Sequence, residues 1–328
     1  MRVISDKQIE NLLKSQSREG ILEFQKVLKT ALSDYNKDPT LIPERIVIKR
    51  DNAEAGHFFM PSFSKKVGVK TLGGSKKGFS GAVSIIDPNS GDLLGVLNAR
   101  SLTAFRTALA STIPLVKFVE ADKSNQGMTV YGNGLQAYWH VKLTLDLYPG
   151  LFTNVQIAVR SINEKSNELQ KELAVEYPLI DIQLIDQTKV DLTKSSVIYG
   201  CIPSTEPQIK YSNLNKTEKT FISLIGSYKP HMAEVDNELV KKALSNGKII
   251  VDSYEHTLAE AGELIQNNVT TSNVIETGEL DNVENSQINN GQNLTLSKIV
   301  GLSIMDNSVG NEILERAIKE NIGSEVEF

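Results

Sequence analysis

A β-prone run, a pair of glycines and a helix-forming segment follow one another between residues 128 and 140. The glycine segment reads G-x-G-x-x-A, and its six residues are Gly132, Asn133, Gly134, Leu135, Gln136 and Ala137. In such a strand–turn–helix the glycines allow a tight turn and a close approach to a pyrophosphate, and the small third residue lets the helix pack against the sheet. The helix N-terminus then offers free N–H groups to phosphate. A glycine turn in an α/β protein that binds no nucleotide has the same sequence, so the rest of the chain must decide.

Composition and charge exclude several classes of protein. The chain has 328 residues, of which 40% are hydrophobic and 23% charged, which is ordinary for a globular protein with room for two domains. The net charge of −5 argues against nucleic-acid binding. A single cysteine, Cys201, excludes a disulfide framework and a cysteine-based zinc site, and the four histidines lack metal-ligand spacing. Without a signal peptide or a membrane-spanning run, we expect a cytoplasmic protein with no metal and no membrane partner.

The first hundred residues have the pattern of an α+β domain. A capping box at 5–8 and an amphipathic stretch after Ser17 predict two helices. Short β-prone runs follow at 45–49, 57–60, 67–70, 81–87 and 93–98. The last two flank the turn at 88–91 and predict a hairpin, so an antiparallel sheet is expected here.

The pattern changes to strand–helix alternation in the middle of the chain. A helix is predicted from Ser101 with a break or kink at Pro114, and residues 115–123 are expected to lead into a second domain. Strands are then predicted at 128–131, 155–159, 181–184, 197–201, 220–225 and 248–251, with a helix at 163–173. This alternation is typical of a parallel sheet covered by helices. The polar segment 267–293 is predicted to be a surface excursion, and the chain from Leu296 onward to be helical.

Several separate stretches together resemble the ornithine cyclodeaminase and mu-crystallin family. They are residues 43–45, 60–61, 67–70, 102–108, 132–137, 202–207, 226–236, 251–253 and 300–306, in the family's order. The resemblance implies a Rossmann domain, residues 119–298, inserted into an α+β substrate-binding and dimerisation domain, residues 1–118 with 299–328. It also implies a homodimer that acts on imines derived from amino acids with a nicotinamide cofactor.

Three cationic residues are candidates for binding a substrate carboxylate. Arg45, Lys70 and Arg106 match cationic positions of the family's motifs, and arginine offers a bidentate fork that lysine lacks. Most lysines and arginines are solvated surface charges, so residue type alone does not assign them. The resemblance assigns substrate binding to these three and Met60. Lys70, predicted to end a strand, is also a candidate proton donor because a buried lysine readily shifts its pKa.

Two positions depart from the members of the family that cyclise ornithine. Tyr228 stands where those enzymes carry an aspartate, and a phenol is neutral at pH 7 and no ready base. Phe59 stands where ornithine-binding members often carry glutamate, and a ring cannot pair with a distal ammonium; a plain core aromatic is the alternative. Tyr228 therefore joins Lys70 and Arg106 as a catalytic candidate, either as a hydroxyl donor or as a packing ring. We favour an NAD(P)H-dependent imino-acid reductase over a cyclodeaminase-type lyase with bound NAD, or a catalytically inactive NADP-binding protein.

The end of the second strand bears on cofactor choice. NAD-specific sites usually place Asp or Glu there, whereas this chain has Arg160 and Ser161, which suit a 2′-phosphate. NADP(H) is therefore favoured over NAD(H). The alternative is that Arg160 is an ordinary solvated residue of a surface loop. Ser204, Thr205 and Gly226 complete the predicted cofactor site; the first two are equally compatible with a simple turn.

Overall fold

The computed structural model describes residues 1–49, 56–75, 78–118, 126–289 and 293–327. The chain divides into two compact units, Met1–Thr107 with Gly301–Phe328, and Ala108–Val300. The strands are β1 (Arg2–Ile4), β2 (Ile46–Ile48), β3 (Gly56–Phe63), β4 (Val67–Ser75), β5 (Gly78–Ile86), β6 (Leu93–Asn98), β7 (Gln126–Tyr131), β8 (Phe152–Val159), β9 (Asp181–Asp186), β10 (Val197–Gly200), β11 (Thr220–Leu224), β12 (Ile249–Val251), β13 (Val274–Glu276), β14 (Leu294–Lys298) and β15 (Ser324–Glu325). The α-helices are α1 (Asp6–Lys14), α2 (Arg18–Lys37), α3 (Ala99–Leu115), α4 (Leu135–Leu147), α5 (Glu164–Glu176), α6 (Asn237–Asn246), α7 (Tyr254–Glu260), α8 (Gly262–Gln266), α9 (Asn285–Ile288) and α10 (Ser303–Lys319).

The first unit contains a seven-stranded sheet in the order β15-β1-β6-β5-β4-β3-β2. Its pairings are antiparallel except for β1 with β6, which confirms the predicted antiparallel sheet. The chain ends meet where Arg2 pairs with Glu325. This closure was not predicted, because β1 and β15 have only three and two residues and pair from opposite ends of the chain.

Helices α1 and α2 begin as the sequence predicts. Ser5 caps α1 in a reciprocal capping box with Gln8, and the Ser17 side chain accepts from the Gly20 N–H at the start of α2. Helix α3 ends at Leu115, one residue beyond Pro114, so the predicted break is the end of the helix. The predicted connection at 115–123 lies partly outside the described residues.

The two faces of the first sheet have different surroundings. Met60, Lys70 and Val83 are directly opposite one another on β3, β4 and β5, so their side chains share one face. Helix α10 covers that face so closely that a Cβ at Gly68 would lie 2.5 Å from the Asn307 side chain. The prediction that Lys70 ends its strand was wrong: β4 continues to Ser75 because its ladder with β5 continues beyond Lys70.

The second unit contains an eight-stranded parallel sheet in the order β13-β12-β14-β11-β10-β7-β8-β9. The chain builds outward from β7 through β8 to β9 on one side; on the other side β10 pairs with β7 and β11 with β10, and β14 lies between β11 and β12. In open parallel sheets ligands bind at the carboxyl ends of the strands, where the strand order reverses, which here lies between β7 and β10. A parallel-sheet unit thus interrupts an α+β unit, and the predicted fold class is confirmed.

Two sequence predictions in the second unit were wrong. Segment 267–293 is not a simple surface excursion: it forms β13, paired with β12, and buries Leu280 and Ile288. A few apolar residues in a polar segment suffice for an edge strand, although residues 290–292 lie outside the described part. The chain from Leu296 onward was predicted to be helical, yet Leu294–Lys298 is strand β14, and α10 begins only at Ser303. Short apolar runs do not distinguish a buried strand from a helix.

No helix among the described residues is both long enough and apolar enough to cross a membrane.

Candidate functional sites

A buried ionic cluster joins three elements of the first unit. Lys70 on β4, Arg106 on α3 and Asp306 on α10 are 2%, 5% and 0% exposed. The Lys70 ammonium lies 2.7 Å from Oδ1 of Asp306 and donates to the Thr103 hydroxyl at 2.8 Å. Arg106 Nε donates to the same Asp306 oxygen at 3.1 Å. The structure therefore brings together two of the three cations that the sequence singled out.

The cluster is held in its charged form by mutual compensation. Burial opposes ionisation of Asp306, but Arg106 and Lys70 outweigh it and hold the pKa of that carboxyl below its usual value. Burial lowers the pKa of Lys70 to about 8, with Arg106 acting in the same direction and Asp306 opposing. Two cations against one carboxylate leave one net positive charge in a buried place, which is the charge that a monoanionic carboxylate would neutralise.

The backbone around Arg106 is fitted to its guanidinium. Nη1 of Arg106 lies 3.4 Å from the Met305 sulfur. Gly301 has φ of +91°, and a Cβ there would lie 2.8 Å from Nη1. Glycine is needed at this position for the left-handed conformation and for space, so Gly301, two residues before α10, helps fix where the guanidinium points.

The remaining predicted substrate residues lie in different surroundings. Met60 is opposite Lys70 in the β3–β4 ladder and shares its face. Phe59 is on the other face, opposite Thr71, and is 37% exposed, so it is neither a core aromatic nor on the face that carries Lys70. Arg45 is exposed directly before β2, and its part in a clamp stays a prediction. Tyr228 belongs to the second unit.

The glycine segment adopts a geometry that suits a pyrophosphate. Gly132 has φ of +119°, and its N–H donates to the Ala158 carbonyl at 2.9 Å. Gly134 is the N-cap of α4 with no side-chain cap, and no heavy atom would lie within 4 Å of a Cβ there. Ala137, in the first turn of α4, is fully buried. An uncapped helix N-terminus with open space in front of it can bind phosphate through its first N–H groups.

The other predicted cofactor residues follow neighbouring strand ends. Arg160 and Ser161 are exposed directly after β8. Ser204 caps a turn, because its hydroxyl donates to the Glu206 carbonyl at 2.5 Å and accepts from the Glu206 N–H at 3.3 Å. Thr205 is exposed. The turn-forming interpretation of Ser204 therefore holds in this structure, and it leaves the Ser204 side chain engaged locally.

The loop after β11 carries Gly226 and Tyr228. A Cβ at Gly226 would lie 2.0 Å from the Ile202 carbonyl oxygen, so the loops after β10 and β11 are in backbone contact. The Gly226 N–H donates to the Glu234 carboxylate at 2.7 Å. Tyr228 is 37% exposed, and the Lys229 ammonium lies 5.6 Å from the centroid of its ring.

Comparison with known proteins identifies the family. The sequence model of the ornithine cyclodeaminase/mu-crystallin family matches residues 7–321. The chain belongs to this family. An uncharacterized protein of Saccharomyces cerevisiae is 33% identical over 98% of this chain and 99% of its own length. A Delta(1)-pyrroline-2-carboxylate reductase of Bacillus cereus is 24% identical over the whole of both chains.

A solved structure agrees on the fold. A Delta(1)-pyrroline-2-carboxylate reductase of Thermococcus litoralis, determined with NADH and L-proline, has a TM-score of 0.82 and 22% identity, over 99% of this chain and 100% of that chain. The relatives named for an activity include imino-acid reductases, which supports the sequence prediction of an oxidoreductase, and also a cyclodeaminase.

Sequence reasoning missed one member of the buried ionic cluster in the first unit. Asp306 was matched to a C-terminal motif, but no role was assigned to it. The available signal was a lone carboxylate in the apolar stretch before and within α10, where an unpaired charge is costly to bury. That cost predicts a cationic partner, and the structure shows two of them.

Proposed function

We propose that this chain is a nicotinamide-dependent reductase of imino acids, with the substrate carboxylate bound by Lys70 and Arg106. The buried cluster of these two cations with Asp306 carries the proposal, because it presents one uncompensated positive charge in a place shielded from water. Arg45 is proposed as a further, exposed cation and Met60 as an apolar contact on the Lys70 face. The first unit would thus bind substrate, and the second the cofactor.

The chemistry of imine reduction divides between cofactor and protein. When bound, the reduced nicotinamide supplies a hydride to the imine carbon. Lys70 would donate a proton to the imine nitrogen, so that the carbon–nitrogen double bond becomes a CH–NH bond with the charges balanced. Thr103 and Asp306 hold the Lys70 ammonium on two sides and fix the direction of its remaining N–H group.

The substrate class follows from residue types and from a relative. Tyr228 replaces the carboxylate that would serve deamination, so a cyclic or apolar imino acid suits this chain better than ornithine. Phe59 lies on the face of the sheet opposite Lys70 and does not bear on this choice. The Bacillus cereus relative is named for reducing a cyclic imino acid, pyrroline-2-carboxylate. We propose the same class of substrate here.

An absorbance assay tests the proposal against its rivals. Adding Delta(1)-pyrroline-2-carboxylate to the protein with NADPH should cause stoichiometric loss of the reduced-nicotinamide band. Ammonia release from ornithine without net cofactor change would instead identify a lyase. Tight NADPH binding with neither reaction would identify an inactive binding protein, a reading that the retained Lys70–Arg106–Asp306 cluster disfavours.

Substitutions of Tyr228 test whether the protein is a reductase or a lyase. A neutral phenol cannot accept a proton from an amine at pH 7 as a carboxylate can. We expect no ammonia from ornithine with the native protein, and at most a trace with Tyr228→Asp, because that single carboxylate leaves the distal ammonium of ornithine without a partner. Tyr228→Phe should retain most imine reduction if the ring only packs. Loss of reduction in Tyr228→Phe would make the hydroxyl a donor, and robust native deamination would reverse the choice of reductase.

We propose NADP(H) as the cofactor, on the strength of Arg160 at the end of β8. Arg160→Ala should weaken NADPH about ten- to a hundredfold while barely affecting NADH, since a charge-assisted hydrogen bond contributes roughly 1.5–3 kcal/mol. Fluorescence titration with both nucleotides measures this, and Arg100→Ala, an exposed arginine of the first unit, is the matched control. Equal losses for NADPH and NADH would show that Arg160 does not contact the 2′-phosphate.

We propose that the protein is a homodimer that pairs through the face of the first sheet opposite α10, on which the described residues leave apolar side chains exposed. The elements packed against this sheet include α10, on the Lys70 face, whereas the opposite face leaves Phe59 and Phe63 substantially exposed and is continuous with the exposed edge residues Ile46 and Ile48. An exposed apolar face of this kind is typical of an interface between copies. Light scattering should give twice the mass of one chain.

A further inference from the structure

A second buried charge cluster lies in the second unit, at the carboxyl ends of β11 and β14. The Lys298 ammonium is 3.2 Å from Oε1 of Glu263 and 3.5 Å from Oε2 of Glu234, and it donates to the Ser227 hydroxyl at 2.5 Å. All three charged residues are at most 1% exposed. None of them takes part in the proton transfer or carboxylate binding proposed above, so the cluster needs a separate explanation.

Glu234 binds the backbone at the start of the loop after β11. Its Oε2 accepts from the Gly226 N–H at 2.7 Å and from the Ser227 N–H at 3.1 Å. The Ser227 hydroxyl also donates to Glu263 at 2.6 Å. The residue that follows this anchored pair is Tyr228. The Glu234 carboxylate therefore fixes the two residues directly before Tyr228 and, through them, the position of the Tyr228 backbone.

The surrounding backbone leaves space for that carboxylate. A Cβ at Gly200, the last residue of β10, would lie 2.6 Å from Oε1 of Glu234. A Cβ at Gly226 would lie 2.7 Å from the same oxygen. Glycine at both positions lets two strand ends approach one side chain, which is the kind of close approach that glycine permits.

The backbone of the same segment holds the loop after β10. The Ala233 N–H donates to the Ser204 carbonyl at 2.9 Å, and the Glu234 carbonyl accepts from the N–H groups of Gln208 and Ile209, each at 3.0 Å. Glu234 thus contacts the loop after β11 with its side chain and the loop after β10 with its backbone. These loops carry Gly226 and Ser204, two of the predicted cofactor residues.

The charges of the cluster do not balance, so its protonation matters. One ammonium faces two carboxylates, and excess buried charge is costly. Burial raises the pKa of Glu234 to about 7, with Glu263 acting in the same direction and with Lys298 and the loop N–H groups opposing. The titratable groups that face Glu234 are Lys298 from β14, Glu263 from α8 and the Cys201 thiol after β10.

We propose that Glu234 is a positioning residue for the reductase site: it holds the loops after β10 and β11, and with them Ser204, Gly226 and Tyr228, at the carboxyl edge of the parallel sheet. Lys298 and Glu263 keep the Glu234 and Ser227 side chains in place. This proposal rests on the proposed function for its kinetic consequences, whereas the fixing of the loop can be measured without any activity.

Glu234→Gln is the decisive variant, because the amide keeps the size and an acceptor oxygen but loses the charge. A charge-assisted hydrogen bond is about twice as strong as a neutral one, so amide hydrogen exchange at Gly226 and Ser227 should accelerate about tenfold. With NADPH and the imino acid, kcat should fall by a similar factor, about tenfold, while KM for the imino acid stays unchanged. Glu234 and Glu263 are two like charges beside one Lys298 ammonium, so removing the Glu234 charge should not lower Tm. A fall in kcat at unchanged Tm distinguishes a positioning role from a purely structural one.

A pH profile gives a second readout. Only ionised Glu234 accepts both loop N–H groups with full strength, so native kcat should rise from about pH 6 to about pH 7 as Glu234 ionises through its pKa of about 7, below the pH at which the Lys70 ammonium is lost through its pKa of about 8. Glu234→Gln should lack this rise. Glu176→Gln is the matched control: it also removes a carboxylate from a lysine contact in the second unit, that with Lys142, and should change none of these readouts.

The outcomes discriminate between the proposals. Unchanged exchange in Glu234→Gln, or faster exchange with unchanged kcat and NADPH affinity, overturns the positioning role. If native protein neither binds NADPH nor reduces the imine, the proposed function fails, while faster exchange at Gly226 and Ser227 would still show that Glu234 fixes the loop. If Glu234→Gln does not fold, Ser227→Ala is the second variant, because it removes only the hydroxyl that contacts Glu263 and Lys298. The positioning role then requires that kcat falls, by less than in Glu234→Gln, while Tm stays normal. An unchanged kcat in Ser227→Ala overturns the proposal.

Discussion

Replacing Lys70 with methionine is expected to lower kcat for imine reduction about a hundred- to ten-thousandfold, the usual contribution of a positioned general acid. Methionine preserves the length and the apolar stem of the side chain but carries no proton. Arg106 and Asp306 would still form their ion pair, so the fold should survive with one cation fewer. Steady-state kinetics with NADPH and a cyclic imino acid measure the loss.

The pH dependence of the native enzyme should report the same proton. The folded-state pKa of Lys70 is depressed to about 8, so the ammonium form predominates below pH 8 and is lost above it. If that form donates the proton, kcat/KM should fall as the pH rises through about 8. The residual activity of Lys70→Met should show no fall in kcat/KM through pH 8. A rise in activity through pH 8 would mean that the neutral amine is the active form.

A matched substitution controls for the loss of a lysine from this unit. Lys66 directly precedes β4, the strand that carries Lys70. Its ammonium lies 2.6 Å from the Asp87 carboxylate, and its side chain is partly exposed. Lys66→Met should leave kcat within about twofold, because partly exposed ion pairs contribute little. If Lys66→Met and Lys70→Met lose activity equally, the effect belongs to the stability of the unit and not to proton transfer.

The sequence predicted elements best where a hydrophobic period extended over many residues or where a capping or turn motif marked the boundary. The capping box at Ser5, the Gly132–Gly134 turn and the strand β6 all lie where they were expected. Strands β1, β13 and β14 were missed because such short runs carry little periodicity of their own, and what makes them strands is their pairing with partners elsewhere in the chain.

The two charge clusters show a different limit. Lys70 and Arg106 were identified because their residue types and motif positions favour carboxylate binding. Asp306 and Lys298 were not assigned roles, since the cost of burying each charge becomes apparent only when the fold shows what surrounds it. A lone charge in an apolar run, as at both positions, is the sequence signal that predicts a buried partner without naming it.

Arg106→Lys should raise KM for the imino acid about ten- to a hundredfold, because a charged hydrogen bond contributes roughly 1.5–3 kcal/mol and lysine cannot form a two-pronged contact with a carboxylate. The charge remains, so Asp306 keeps a partner and Tm should change little. NADPH affinity should stay constant, since the glycine turn and Arg160 belong to the second unit.

The space around the guanidinium makes this test specific. Gly301 and Met305 are fitted to the Arg106 nitrogens, and a shorter ammonium would leave them without contact. Arg316→Lys is the matched control, because Arg316 is also a partly buried, ion-paired arginine of the first unit, stacked on Phe24. It should leave KM unchanged. If Arg106→Lys leaves KM intact as well, the carboxylate is bound elsewhere, and the single net positive charge of the Lys70–Arg106–Asp306 cluster has only a structural role.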